Sequence, residues 1–90
     1  MKGIISMKEI CYQTKGTCSR AIHVTLDEEN IVRNVEFVGG CSGNTQGVAA
    51  LVIDMQADEA IRRLQGIRCG TKSTSCPDQL AAALAEALAQ

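Results

Sequence analysis

The sequence predicts an α+β domain: a three-stranded antiparallel sheet followed by three helices packed on one of its faces. Ile22, Val24 and Leu26 alternate with Ala21, His23 and Thr25, the period of a half-buried strand. Val48, Leu51, Val52 and Met55 fall at i, i+3, i+4 and i+7, one apolar face of a helix. Pro77 opens an alanine-rich stretch with Leu80, Leu84, Ala87 and Leu88 on a buried side. Strands first and helices after is the order of an α+β chain, not of alternating βαβ units. Ninety residues make one domain, 1–90, with a modest core that a metal or a partner would help to hold.

The elements follow in order. Ile4 to Gln13 is expected as a strand, and Lys15-Gly16-Thr17 turns the chain into the hairpin. The hairpin is the best-marked part of the sheet. Its first strand holds Ile22, Val24 and Leu26, and Asp27-Glu28-Glu29-Asn30 makes the turn, with Asn30 able to take a positive φ. Ile31 to Val38 returns, with Ile31, Val35 and Phe37 expected on the core face and Arg33 at its rim. A first helix is expected from Asn44 or Thr45. A second, carrying Ala57, Ile61 and Leu64, ends at Gly66, a residue suited to a C-terminal cap. Residues 67–75 form an irregular loop before the third helix.

Composition excludes several functions. The net charge is −1, with nine basic and ten acidic residues interspersed, so no electrostatic grip on nucleic acid or an anionic membrane is expected. Tyr12 and Phe37 are the only aromatics, too few to stack unpaired bases. The first residues show no secretory signal, and no apolar run approaches the roughly 20 residues of a spanning helix. The expected location is the cytoplasm, where thiols stay reduced. Five cysteines there point to metal ligands or reactive thiols, not to a disulfide framework.

Cys18, Cys41, Cys69 and Cys76 lie in or beside glycine-bearing loops: Gly16 precedes Cys18, Gly40 and Gly43 flank Cys41, and Gly70 follows Cys69. Glycine lets a loop wrap closely around something bound. With Pro77 as the first helical residue, Cys76 takes the N-cap, where the helix dipole favours thiolate over thiol. Cys11 differs: it lies inside the first strand without a neighbouring glycine. The ordinary alternative for any one of the five is a buried thiol packed as a small hydrophobe. Spacing alone does not decide, since the intervals 11–18 and 69–76 match no standard zinc finger. If the four thiolates converge, tetrahedral zinc is the first candidate and an iron–sulfur cluster the second.

Other candidates carry less. His23 alternates with core residues and is expected at the rim or in solvent. The Gly39–Asn44 loop ahead of a helix could cradle an anion, although it matches neither the phosphate loop nor the dinucleotide fingerprint. Arg62, Arg63, Arg68 and Lys72 could form a basic patch, with a solvated helix face as the default for the first two. Asp78 complements a helix dipole. No catalytic triad or carboxylate pair stands out.

Thr74-Ser75-Cys76-Pro77-Asp78 spells TSCPD, and with Gly39-Gly40-Cys41-Ser42-Gly43-Asn44 and Gly66-Ile67-Arg68-Cys69-Gly70 it closely resembles the small stand-alone TSCPD-domain proteins. The similarity runs from about Thr14 to the carboxyl terminus. It also picks out Gly16-Thr17-Cys18-Ser19-Arg20 and passes over Cys11. One departure is Asp54-Met55, where the resemblance leads to an expected glycine before methionine. Relatives of this domain occur at the carboxyl end of adenosylcobalamin-dependent ribonucleotide reductases. The resemblance thus implies an accessory role in deoxynucleotide synthesis, through contact with a reductase, another protein or a nucleotide. The chain is too short for the reductase reaction itself, and homo-oligomerisation stays open. A looser likeness of architecture, with Cys41 and Cys76 each ahead of a helix, is to iron–sulfur scaffold proteins. Three readings result: a zinc-binding accessory domain, a cluster carrier, or a structural domain with reduced thiols and no metal.

Overall fold

The structure, a computed structural model, describes residues 7–16, 19–39 and 42–90, without the side chains of Ser42 and Asn44. Strands β1 (Lys8–Gln13), β2 (Ser19–Leu26) and β3 (Val32–Gly39) precede helices α1 (Ser42–Val52), α2 (Ala57–Leu64) and α3 (Cys76–Leu88). The sheet is antiparallel in the order β1-β2-β3. Within the described residues the first strand begins at Lys8; positions 4–6 of the expected strand lie outside them.

Strand β2 is the centre of the sheet and follows its pattern. Ile22, Val24 and Leu26 are buried, with Ile10 of β1 opposite Val24. Helix α3 lies across β1 and β2, α1 packs on β3 and α2 on α3. Leu80, Leu84, Ala83 and Ala87 of α3 join the buried strand residues in one core. All three helices cover one face of the sheet and leave Glu9, Cys11, His23 and Glu36 exposed on the other. The alanines of α3 let the helix approach the sheet closely.

Strand β3 departs from the expected alternation. Val32 is fully buried, whereas Ile31, expected in the core, is only half-buried. The cause is a bulge: Leu26 pairs with Val32 but Thr25 pairs with Asn34, so Arg33 is the extra residue. That residue resets the parity, and Val32 shares a face with the half-buried Val35 and Phe37. The bulge also turns Arg33 outward, where its Nε donates to Asp27 at 2.9 Å and its Nη1 to Asp54 at 2.6 Å. The Asp27 carboxylate further accepts from the backbone N–H of Glu29 at 2.8 Å and of Ile31 at 3.0 Å. The Ile31 amide does most to hold its pKa below the ordinary carboxylate value. Asn30 closes the turn with φ 63°, as its residue type predicts.

Helix α1 starts at Ser42, earlier than expected, and stops at Val52. Thr45 and Val52 are buried and Val48 half-buried, which sets the inward stripe at 45, 48 and 52. Leu51, expected on that stripe, is 76% exposed, since one residue turns it about 100° away from Val52. Met55 reaches the core from beyond the helix end. The chain reverses through Asp54 at φ 70°, a left-handed conformation that glycine adopts freely. This is the position where the family resemblance leads to an expected glycine. The segment is then stitched to the start of β3: Val32 N–H donates to Met55 O at 2.9 Å, Asp54 N–H to Val32 O at 2.8 Å and Ala57 N–H to Asn30 O at 2.9 Å.

Candidate functional site

The loop between α2 and α3 carries Cys69 and is anchored at both ends. Gly66, at φ 84°, ends the α2 turn and donates its N–H to Asp78 Oδ1 at 2.7 Å. Thr74 donates its hydroxyl to the other oxygen of the same carboxylate. These two donors, Thr74 first, hold the Asp78 pKa below its ordinary value, with Arg68 adding a smaller attraction. Asp78 therefore clasps the loop as well as complementing the helix. Inside the loop, Cys69 N–H donates to Thr74 O at 3.1 Å and Lys72 N–H to Cys69 O at 3.0 Å.

The N-cap of α3 is Ser75, not Cys76 as expected from the proline. Its extended backbone, φ −153° and ψ 171°, places Oγ to accept from Asp78 N–H at 3.2 Å. The same hydroxyl donates to Ile67 O at 2.6 Å, closing the loop a third time. Cys76 becomes the first helical residue and Pro77 the second, because proline lacks an N–H that the first turn would leave unpaired anyway. Cys76 is 6% exposed, and its Sγ lies 3.3 Å from Ser19 Oγ.

Ser19 begins β2 and pairs with Gly39 at the end of β3. The turn before β2 reaches the same place: Lys15 N–H donates to Gln79 Oε1 at 3.0 Å, and Gln79 Nε2 donates to Thr74 Oγ1 at 3.1 Å. Gly16, at φ 77°, approaches so closely that a Cβ there would stand 2.9 Å from Thr74 Cγ2. One end of the sheet thus joins the β1–β2 turn, the end of β3, the start of α3 and the Cys69 loop.

Of the four cysteines singled out by sequence, Cys76 is buried at this end and Cys69 is exposed on its loop. Cys18 and Cys41 lie outside the described residues, as do Thr17 and Gly40 of the turns beside them. Among the described residues no three His, Cys, Asp or Glu side chains form a group that could hold a metal. Arg62 and Arg63 both pair with Glu59, the solvated arrangement expected of a helix face. Glu59 is held below its ordinary pKa first by Arg63 and then by Arg62.

Sequence reasoning missed a second grouping. Cys11 and His23 are register partners on the uncovered face, with Sγ 3.7 Å from Nε2. Each sits at an outward position of its strand, but only the strand register brings them together.

Among the described residues no helix is long and apolar enough to cross a membrane. The TSCPD domain family matches the chain over residues 5–88. No curated protein and no solved structure matches it.

Proposed function

The chain belongs to the TSCPD domain family, and on that premise we infer that it is a small metal-binding domain using Cys18, Cys41, Cys69 and Cys76, with zinc as its ion. One observation carries this reading. Ser19, bonded to Cys18, is the register partner of Gly39, two residues before Cys41, and touches Cys76. Cys69 is tied to Thr74, two residues before Cys76, by a backbone hydrogen bond. The described sequence neighbours Ser19 and Gly39 thus share one end of the sheet with Cys76 and the Cys69 loop, which supports drawing the four cysteines into one site. A donor set of thiolates suits zinc, which would fix the cysteine loops against the sheet and contribute directly to folding.

The role is accessory to deoxynucleotide synthesis, following the resemblance to the carboxyl-terminal domain of cobalamin-dependent ribonucleotide reductases. A reductase or another protein of that system is the partner, with nucleotide contact at the same end of the sheet. The cytoplasm is the compartment that keeps such thiols reduced. The test is anaerobic purification with metal analysis, together with thiol titration before and after chelation. About one zinc per chain and four thiols released by the chelator would support the reading. Five equally reactive thiols with no metal would sink it.

The exposure of Cys69 favours a second reading, a labile iron–sulfur cluster carried for transfer. Reconstitution with iron and sulfide, followed by transfer to an apo-ferredoxin, separates the two. Rapid passage of an intact cluster would put the carrier first.

A further inference from the structure

The face of the sheet that no helix covers brings a thiol and an imidazole together. Cys11 on β1 is the register partner of His23 on β2, and its Sγ stands 3.7 Å from Nε2. His23 is in turn the partner of Glu36 on β3, so a carboxylate shares the row on the other side of the imidazole. The row crosses a shallow depression of about 350 Å³, whose remaining titratable lining group is Glu9. Cys11, His23, Glu36 and Glu9 are all exposed, so packing does not explain a cysteine beside the chain's single histidine.

We propose that Cys11 is a thiol-modification site: with His23 as its proton acceptor it exchanges with a small aliphatic disulfide, cationic in preference to anionic, to form a mixed disulfide. The thiolate and not the thiol is the nucleophile in such an exchange. With its own proton on Nδ1, the imidazole presents the Nε2 lone pair to the Cys11 S–H, within reach of proton transfer. As that proton leaves, Sγ attacks one sulfur of the disulfide. One S–S bond forms, the other breaks, and the departing thiolate takes the proton from His23. One thiol is consumed and one released, the incoming disulfide is the oxidant, and nothing else enters the balance. The imidazolium formed on the way stands beside Glu36, whose negative charge stabilises it.

Access and charge set the class of partner. The helices pack on the opposite face, so no described helix overhangs Sγ and an incoming disulfide is free to line up with it. Besides His23, the charged groups lining the depression are Glu9 and Glu36, both acidic. A disulfide bearing ammonium groups, such as cystamine, is attracted to them, whereas glutathione disulfide, with its excess of carboxylates, is repelled. The strands hold no other described cysteine to resolve the product, so the mixed disulfide persists until an external thiol reverses the exchange.

This site can be tested apart from the reading of Cys18, Cys41, Cys69 and Cys76, because trypsin releases Cys11 as the only cysteine of the peptide 9–15. The reduced full chain is exposed to cystamine or to glutathione disulfide at pH 7 and quenched in acid, and the modified fraction of that peptide is followed by mass against time. The same chain unfolded in urea is the reference. Folded Cys11 is expected to react with cystamine about tenfold or more faster than unfolded Cys11. His23→Gln, an exposed change, should remove that advantage at pH 7 yet match wild type above about pH 9.5, where a cysteine thiol ionises unaided. Cystamine should outpace glutathione disulfide several-fold beyond their ratio on the unfolded chain, and Glu36→Gln or high salt should narrow the gap. Folded Cys11 reacting no faster than unfolded, or as fast in His23→Gln as in wild type at pH 7, would overturn the proposal. An unchanged ratio of the two disulfides would overturn the class of partner.

Discussion

Replacing Ser75 by alanine removes one oxygen that closes two contacts, and the expected loss follows from counting them. The hydroxyl caps α3 by accepting from Asp78 N–H at 3.2 Å and latches the preceding loop by donating to Ile67 O at 2.6 Å. Loss of a serine cap costs about 1 kcal/mol. Loss of the second hydrogen bond adds a further ~1 kcal/mol, since Ile67 is exposed and water can replace the donor. For a domain of this size each kcal/mol moves the melting temperature by about 4–8 °C, so Ser75→Ala should melt about 8–16 °C lower. Glycine separates the contributions: it caps nearly as well as serine but cannot donate, and Ser75→Gly should lose about half as much. The assay is thermal and urea unfolding of reduced protein in chelator, which removes any contribution from bound metal. A loss under about 0.5 kcal/mol for alanine would refute the assignment of Ser75 as cap and latch.

Asp78 carries a pKa below its ordinary 3.8, so it contributes stability that is present above that value and is lost as pH falls through the lower, folded one. Asp78→Ala should therefore cost about 1 kcal/mol at neutral pH, partial solvent exposure limiting the figure, and the gap to wild type should close as the Asp78 carboxyl becomes protonated in the folded as well as the unfolded state; urea unfolding at pH 7 and near pH 2 checks this. Asp54→Gly should be neutral or stabilising, because glycine relieves the left-handed backbone at φ 70° while the exposed pair with Arg33 contributes little. Asp54→Val should instead destabilise by about 1–2 kcal/mol, measured by the same unfolding curves. Cys11→Ser should change stability by less than about 0.5 kcal/mol, since Cys11 is exposed and not packed. Cys76→Ser should lower both zinc content and melting temperature, and the difference between the two variants should narrow after chelation.

Much of the fold was legible because it depends on local pattern. Alternation at Ile22, Val24 and Leu26 marks β2, and Asn30 and Gly66 mark two of the positive-φ turns. What escaped depends on register or tertiary context. The bulge at Arg33 shows no pattern of its own, yet it decides that Val32 and not Ile31 enters the core. Leu51 has the spacing of a core residue but lies on the far side of α1, because the sheet meets that helix at Thr45, Val48 and Val52. The motif Ser75-Cys76-Pro77 allows either of its first two residues to cap, and only the backbone at Ser75 decides between them. Of the four cysteines that sequence draws into one site, Cys76 meets Ser19 at one end of the sheet, Cys69 lies on the neighbouring loop, and Cys18 and Cys41 lie outside the described residues. The pairing of Cys11 with His23 needed the strand register, which residue types in two separate strands do not specify.

The backbone bonds between residues 54–57 and 30–32 have a consequence for solubility. A three-stranded sheet presents two open edges, each a template on which another chain can add a strand. Here the connection between α1 and α2 occupies the first part of the β3 edge, where Val32 uses both its N–H and its carbonyl on Met55 and Asp54, and Ile31 bridges to Gln56. A fragment ending before Asp54 would expose that stretch, with its apolar Ile31 and Val32, to edge-on pairing. Proteolysis or truncation in the α1–α2 connection is therefore a route to aggregation even if the strands themselves persist.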